Sequence, residues 1–208
     1  MRRAGILKRI AVVALALSLA SAGAAQNMSA GYKFLDAVKK RDGTAVETMI
    51  SNSGAKGTRG DIIINSRDIT SGDSALHLVI AGHDYKWLEY LLYKGADANN
   101  RNFGGTTPLW LAINSGFSDG AILLISKGAR VNDPGPSGET PLISAVHQRN
   151  VDLVRVLIKA GADVTRADNS GRNPMDYAKL ANAGMISSEL DAAAKVAKAK
   201  KQSYGPSF

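Results

Sequence analysis

Three histidines, His77, His83 and His147, are the side chains in this 208-residue sequence best suited to moving protons or holding a metal. They do not converge. His83 follows His77 by six residues, whereas helix neighbours come at three or four, and His147 stands far along the chain. A zinc site needs several ligands drawn together. The chain has no cysteine, which excludes disulfides, thiolate catalysis, cysteine-ligated zinc and the lipidated residue of a bacterial lipoprotein. Ser74 and His77, with Gly72 and Asp73 before them, have the types for a nucleophile and its base. However, Ser74 falls at a helix-capping register, and the distant acid–base pair that such chemistry needs is missing near the C-terminus. The 21 glycines form neither a P-loop nor a dinucleotide fingerprint. No catalytic residue, cofactor or metal is expected.

The elements that position these residues follow from a repeat. Gly72, Gly105, Gly138 and Gly171 are spaced 33 residues apart, as are Leu76, Leu109, Leu142 and Met175. Gly95-Ala96, Gly128-Ala129 and Gly161-Ala162 keep the same period. Ser74, Thr107, Thr140 and Asn173 are N-cap types, and Pro108, Pro141 and Pro174 suit the first helical position, where no N–H is missed. Ala112, Ala145 and Ala178 are small enough for two helices to approach closely. Leu153, Val154, Leu157 and Ile158 make one apolar helix face, and Trp87, Leu88, Leu91 and Leu92 repeat it two periods earlier. The glycines at 95, 128 and 161 suit left-handed C-caps.

Thr107-Pro108-Leu109 and Thr140-Pro141-Leu142, with His77 completing the first copy, resemble the ankyrin repeat with its 33-residue period. The resemblance implies an all-α solenoid of stacked helix-loop-helix units with hairpin or loop fingers, about four to five repeats including degenerate caps. Residues 26–68 read as a degenerate N-terminal capping repeat with a loop insertion from Lys56 to Asp68. Residues 69–182 carry the repeats (69–101, 102–134, 135–167 and the start of a last at 168–182). Residues 183–201 form a C-terminal capping helix, in which Ser188 and Asp191 fit a capping box, and 202–208 a disordered tail. The Ile62-Ile63-Ile64 run is expected to pack locally. Trp110 replaces the family's usual histidine, so that copy needs another donor or must pack the indole.

The first 25 residues have the pattern of a secretory signal. Arg2, Arg3, Lys8 and Arg9 precede an apolar run from Ile10 to Ala20, and small residues around Ala24 and Ala25 suit cleavage. A membrane anchor needs roughly 20 apolar residues, about twice this run. The predicted location is the periplasm, with full secretion as the alternative. The net charge of +8 comes from 26 Lys+Arg against 18 Asp+Glu. Removing the four basic residues of the signal leaves 22 against 18, and Lys195, Lys198, Lys200 and Lys201 supply that surplus. The repeat body is neutral, so a nucleic-acid partner is not expected. The basic tail is suited at most to a weak contact with an anionic membrane or envelope surface. At 45% hydrophobic and 21% charged residues the chain is globular.

The resemblance implies a monomeric, non-enzymatic protein-binding scaffold or inhibitor that uses finger tips and the exposed face of the first helices along a concave groove. A small-molecule or envelope-surface binder is the alternative. By register the partner-binding residues are Arg101, Phe103 and Thr106 on the first full finger, then Asn114 and Ser115. Pro136, Glu139, His147 and Gln148 follow in the next repeat, and Asn169 and Arg172 on the last finger.

Overall fold

The computed structural model describes residues 29–54 and 63–203, and among them ten helices and no strand. The helices come in five antiparallel pairs: α1 (Ala30–Lys40) with α2 (Gly43–Gly54), α3 (Ala75–Ala81) with α4 (Tyr85–Tyr93), α5 (Pro108–Asn114) with α6 (Ser118–Ser126), α7 (Pro141–His147) with α8 (Val151–Lys159), and α9 (Pro174–Leu180) with α10 (Gly184–Ser203). The first helices α1, α3, α5, α7 and α9 stack on one another as an inner row, and α4, α6, α8 and α10 as an outer row. No single pair can bury its apolar face, so the core runs continuously from one copy to the next. Phe34, Leu76, Leu88, Leu109, Leu124, Leu142 and Leu153 lie within it, all at 1% exposure or less. Ala112, Ala145 and Ala178 are fully buried between inner and outer helices.

Capping chemistry sets where each inner helix starts. The Thr107 hydroxyl accepts the N–H of Trp110 at 3.1 Å, the Thr140 hydroxyl that of Ile143 at 3.2 Å, and the Asn173 side chain those of Met175 and Asp176. Proline follows each of these three caps, where its missing N–H costs nothing. In the first copy His77 completes the cap. Its Nε2 lies 3.0 Å from the Thr106 carbonyl, which can only accept, so Nε2 carries the proton. Nδ1 is then an acceptor for the Ser74 N–H at 3.2 Å and the Ser74 hydroxyl at 2.9 Å. Ser74 is therefore a helix cap, and its hydroxyl is engaged. At the same register the later copies carry Trp110, Ile143 and Asp176. The Trp110 indole packs over Gly135, with Nε1 buried and unpaired. Ile143 is fully buried, and Asp176 accepts the Asn173 N–H at 3.0 Å.

The turns between inner and outer helices need a left-handed residue, supplied at 33-residue spacing by His83, Gly116, Arg149 and Asn182 at φ 50° to 77°. His83 lies in this turn, stacked on Phe117 at 5.0 Å. Arg149 donates to the Ala181 carbonyl of the next repeat at 2.8 Å. Gly95, Gly128 and Gly161, at φ 88° to 94°, end the outer helices as expected. Beyond them, Asn99 donates to the Gly128 carbonyl and accepts the Arg130 N–H, and Asn132 does the same with Gly161 and Asp163. These two asparagines are matching rungs between successive loops.

The fingers are turns, closed by Gly105 N–H to the Asn102 carbonyl and Gly138 N–H to the Gly135 carbonyl, both at 3.0 Å. The nearest approach to a hairpin among the described residues is an isolated antiparallel bridge between Arg67 and Ser74. At the N-terminal end Ile64 is buried and Ile63 packs partly against the core; Ile62, most of the insertion and the signal segment lie outside the described residues. At the C-terminal end Ile186 and Leu190 are buried as their spacing predicts. The Ser188–Asp191 capping box does not form, because α10 already starts at Gly184 and Ser188 lies inside it.

Candidate partner-binding groove

The inner row and the fingers present a run of side chains that the core takes up only in part. One register on the inner helices, Ala81, Asn114, His147 and Leu180, is exposed. Beside it a second register is half covered: Leu78, Leu111 and Tyr177 pack partly against the core and Ser144 is buried. Along these rows the first two repeats carry Leu78, Ala81, Leu111 and Asn114, while the third and fourth carry the Ser144 hydroxyl, the His147 imidazole and the Tyr177 phenol, with Leu180 exposed at the end.

On the first full finger Arg101 is half-buried. Its guanidinium donates to the Gly105 carbonyl at 2.8 Å and the Pro134 carbonyl at 2.9 Å, and pairs with Asp133 at 3.2 Å. These contacts make it a staple between successive fingers. Phe103 is 64% exposed but rests one edge on the preceding finger, where Gly72 leaves room for it and the Arg67 guanidinium lies 5.3 Å from its ring centroid. Thr106 is half-buried; its carbonyl receives His77 and its N–H donates to Asn102 at 2.9 Å. Asn114 and Ser115 are exposed at the end of α5, and Gln148 donates from the next repeat to the Ile113 carbonyl beside them. Pro136 is exposed at a finger tip. Arg101, Phe103, Thr106, Asn114, Ser115, Pro136 and Gln148 are thus spread along the groove and do not form one cluster.

The other four residues do meet. Glu139, His147, Asn169 and Arg172 line a recess of about 580 Å³ between the third and fourth repeats, together with Ser137, Asp168, Ser170 and Tyr177. Its centre is Tyr177, which the sequence reading did not nominate. The Tyr177 hydroxyl donates to Asp168 at 2.6 Å, the His147 ring meets Tyr177 edge to face at 4.3 Å, and the Arg172 guanidinium lies 5.9 Å from the Tyr177 ring centroid. Glu139 accepts from the Ser144 hydroxyl and from His147 Nδ1, each at 2.9 Å. Asp168 is held as a carboxylate down to about 2, first by the Tyr177 and Ser170 hydroxyls and then by backbone N–H groups of Arg172 and Ser170. Among the described residues no group of histidines and carboxylates is placed to hold a metal.

A sequence signal for Tyr177 existed. It stands in the register of Leu78, Leu111 and Ser144, where the ring packs partly against the core and the hydroxyl is left to pair with Asp168 on the finger. His77 shows the opposite behaviour: burial lowers its pKa below the usual imidazole value, the Thr106 hydrogen bond opposing, and its two contacts are structural.

Stacked helix pairs with capped inner helices, turned fingers and an outward-facing inner row define a helical repeat array of the ankyrin type. A family model for ankyrin repeats in three copies matches residues 34–135, and one for ankyrin repeats in many copies matches residues 124–178. The chain belongs to the ankyrin repeat family, whose repeats generally mediate protein–protein interaction. A 52-residue stretch is also 50% identical to part of an ankyrin repeat protein of Acanthamoeba polyphaga mimivirus, covering 25% of this chain and 7% of that protein.

Proposed function

We propose that this chain is an exported scaffold or inhibitor that holds a folded protein partner in its concave groove and performs no chemistry of its own. The observation that carries the reading is the recess at the third and fourth repeats: four residues nominated by register share its walls, and none of them is needed by the core. The inner-row residues Asn114, Ser115 and Gln148 extend the same exposed surface across the second and third repeats. Export rests on the basic, apolar and small-residue segments of the first 25 residues, with the periplasm as destination and secretion as the alternative. The partner meets a single copy of the chain.

The test is a cross-linked pull-down from envelope and culture fluid with the chain lacking residues 1–25, beside a Phe103→Ala/His147→Ala variant checked for folding. Both substitutions truncate exposed side chains. A protein captured by the parent and lost with the variant supports the reading. Equal capture by both forms moves binding off the groove. Strong thermal stabilisation by a metabolite would favour a small-molecule binder instead, since only native-state binding raises the melting point. N-terminal sequencing of the exported protein tests the signal segment, and an intact Met1 overturns it.

A further inference from the structure

We infer that the concave side of the array opens at one place, between the second and third finger tips, so that the first two fingers move as one jaw and the last two as the other. This goes beyond the groove-binding reading and does not depend on it. Junctions that the repeat would make alike differ here. Between the first and second fingers, the Phe103 N–H donates to the Ser71 carbonyl at 2.9 Å, the Asn102 side chain donates to Asp73 at 2.8 Å, and His77 donates to the Thr106 carbonyl at 3.0 Å. Phe103 also fills the space over Gly72 and leaves no room for a Cβ there. Between the third and fourth fingers, the Asn169 N–H donates to the Ser137 carbonyl at 3.4 Å, and the Asn169 side chain closes over Gly138. The His147 ring meets Tyr177 across that junction.

Between the second and third fingers the same positions carry residues that cannot make these bonds. Gly135 stands in the register of Asn102 and has no side chain to donate. Pro136 stands in the register of Phe103 and has no N–H. Trp110 stands in the register of His77, and its Nε1 is buried without a partner. The Gly104 carbonyl, which matches those of Ser71 and Ser137, accepts no backbone N–H among the described residues. A Cβ built on Gly105 meets nothing within 4 Å, whereas the matching glycines at 72 and 138 are covered. At this register the two tips are neither bonded nor packed. What joins the fingers lies at their base, where Arg101 donates to the Pro134 carbonyl at 2.9 Å and pairs with Asp133 at 3.2 Å. Below it α5 stacks on α7. Arg101 is therefore the pivot, about which the tips part while the bases and helices stay. Parting here breaks no tip hydrogen bond, and at either neighbouring junction it breaks at least one, so local opening favours this place. It lifts Gly135 off the Trp110 indole and resets the spacing between Phe103 on one jaw and the Tyr177 recess on the other.

The experiment is hydrogen exchange on the ¹⁵N-labelled full chain. It is read at the Trp110 indole N–H and, as the gauge of unfolding of that repeat, at the Ile113 amide inside α5. Corrected for intrinsic rates, the indole is expected to be less protected than Ile113. Pro136→Ala supplies the N–H that the register aims at the Gly104 carbonyl. It should slow the indole relative to Ile113 by about fivefold, the effect of one neutral hydrogen bond. Arg101→Ala removes the pivot and should speed the indole relative to Ile113. Ser137→Ala changes a tip side chain but keeps the proline, and should leave the ratio at the parent value. Equal protection of the indole and Ile113 in the parent would overturn the inference, as would a Pro136→Ala chain that folds and leaves the indole no slower. Should Pro136→Ala not fold, Arg101→Ala decides, and an indole that it does not speed relative to Ile113 overturns the pivot. No partner enters the measurement, so its failure would leave the groove reading untouched.

Discussion

The indole of Trp110 closes over the backbone of Gly135, so that a Cβ at Gly135 would come within 2.4 Å of the ring. Alanine there must push the indole out of its place, and the indole brings an unpaired Nε1 that is already buried. Gly135→Ala is expected to destabilise the array by about 1–3 kcal/mol, the range for overpacking. Urea denaturation measures it, and an unchanged midpoint would mean that the indole is not held against the finger.

His77 gives the stability a pH dependence of known sign. Burial sets its folded pKa below the ordinary value of 6.5. Above 6.5 the imidazole is neutral in both states and its bonds to Ser74 and Thr106 are intact. As pH falls below 6.5 the unfolded chain takes the proton first, and stability drops until the folded pKa is passed. A proton on Nδ1 would also face the Ser74 N–H donor. Urea midpoints measured across this range should fall with pH more steeply for the parent than for His77→Gln, and equal slopes would contradict the burial of the ring.

Gly116 isolates the conformational demand of the inner-to-outer turn. It sits at φ 77°, and a Cβ added there meets nothing within 4 Å. Gly116→Ala should cost about 1 kcal/mol through backbone strain alone. A loss well beyond that would reveal a contact that the geometry does not contain.

Leu109, at 1% exposure, occupies the register that the repeat spacing assigns to the core. Leu109→Ala is expected to cost about 2–5 kcal/mol. A thermal melt unaffected by it would displace the whole register.

The repeat was legible because it is written in residues whose job is local. A cap needs a short oxygen side chain, a left-handed turn favours glycine, and a packed inner helix needs leucine and alanine, so Thr140, Gly161 and Ala145 mean the same thing in sequence and in space. The left-handed turn itself was less legible, since His83, Arg149 and Asn182 occupy it where glycine would announce it. Arg101 looked like a free tip residue because a guanidinium reads the same whether it meets solvent or the Pro134 carbonyl 33 residues on. Tyr177 was passed over for a related reason: its importance lies in contacts to His147 from the previous repeat and to Asp168 on the finger, and no single helix records them. The Ser188–Asp191 spacing failed because a capping box is meaningful only at a helix start, and the polar replacements on the last helix hid that it begins a turn earlier. Glu139, His147, Asn169 and Arg172 were found by register, while the recess they share depends on how two copies pack.

Asn99 and Asn132 make the same two bonds to the loop that follows each of them. The array's length is therefore open to revision one unit at a time. Excising residues 100–132 would join Asn99 to Asp133 and hand it the Gly161 carbonyl and Asp163 N–H that Asn132 now holds, while His77 would find the Glu139 carbonyl where Thr106 had been. The shortened chain would lose Asn114, Ser115 and the Trp110 contact but carry the Tyr177 recess over whole. Selection could in this way alter how far the groove extends without redesigning the place where its polar chemistry is concentrated.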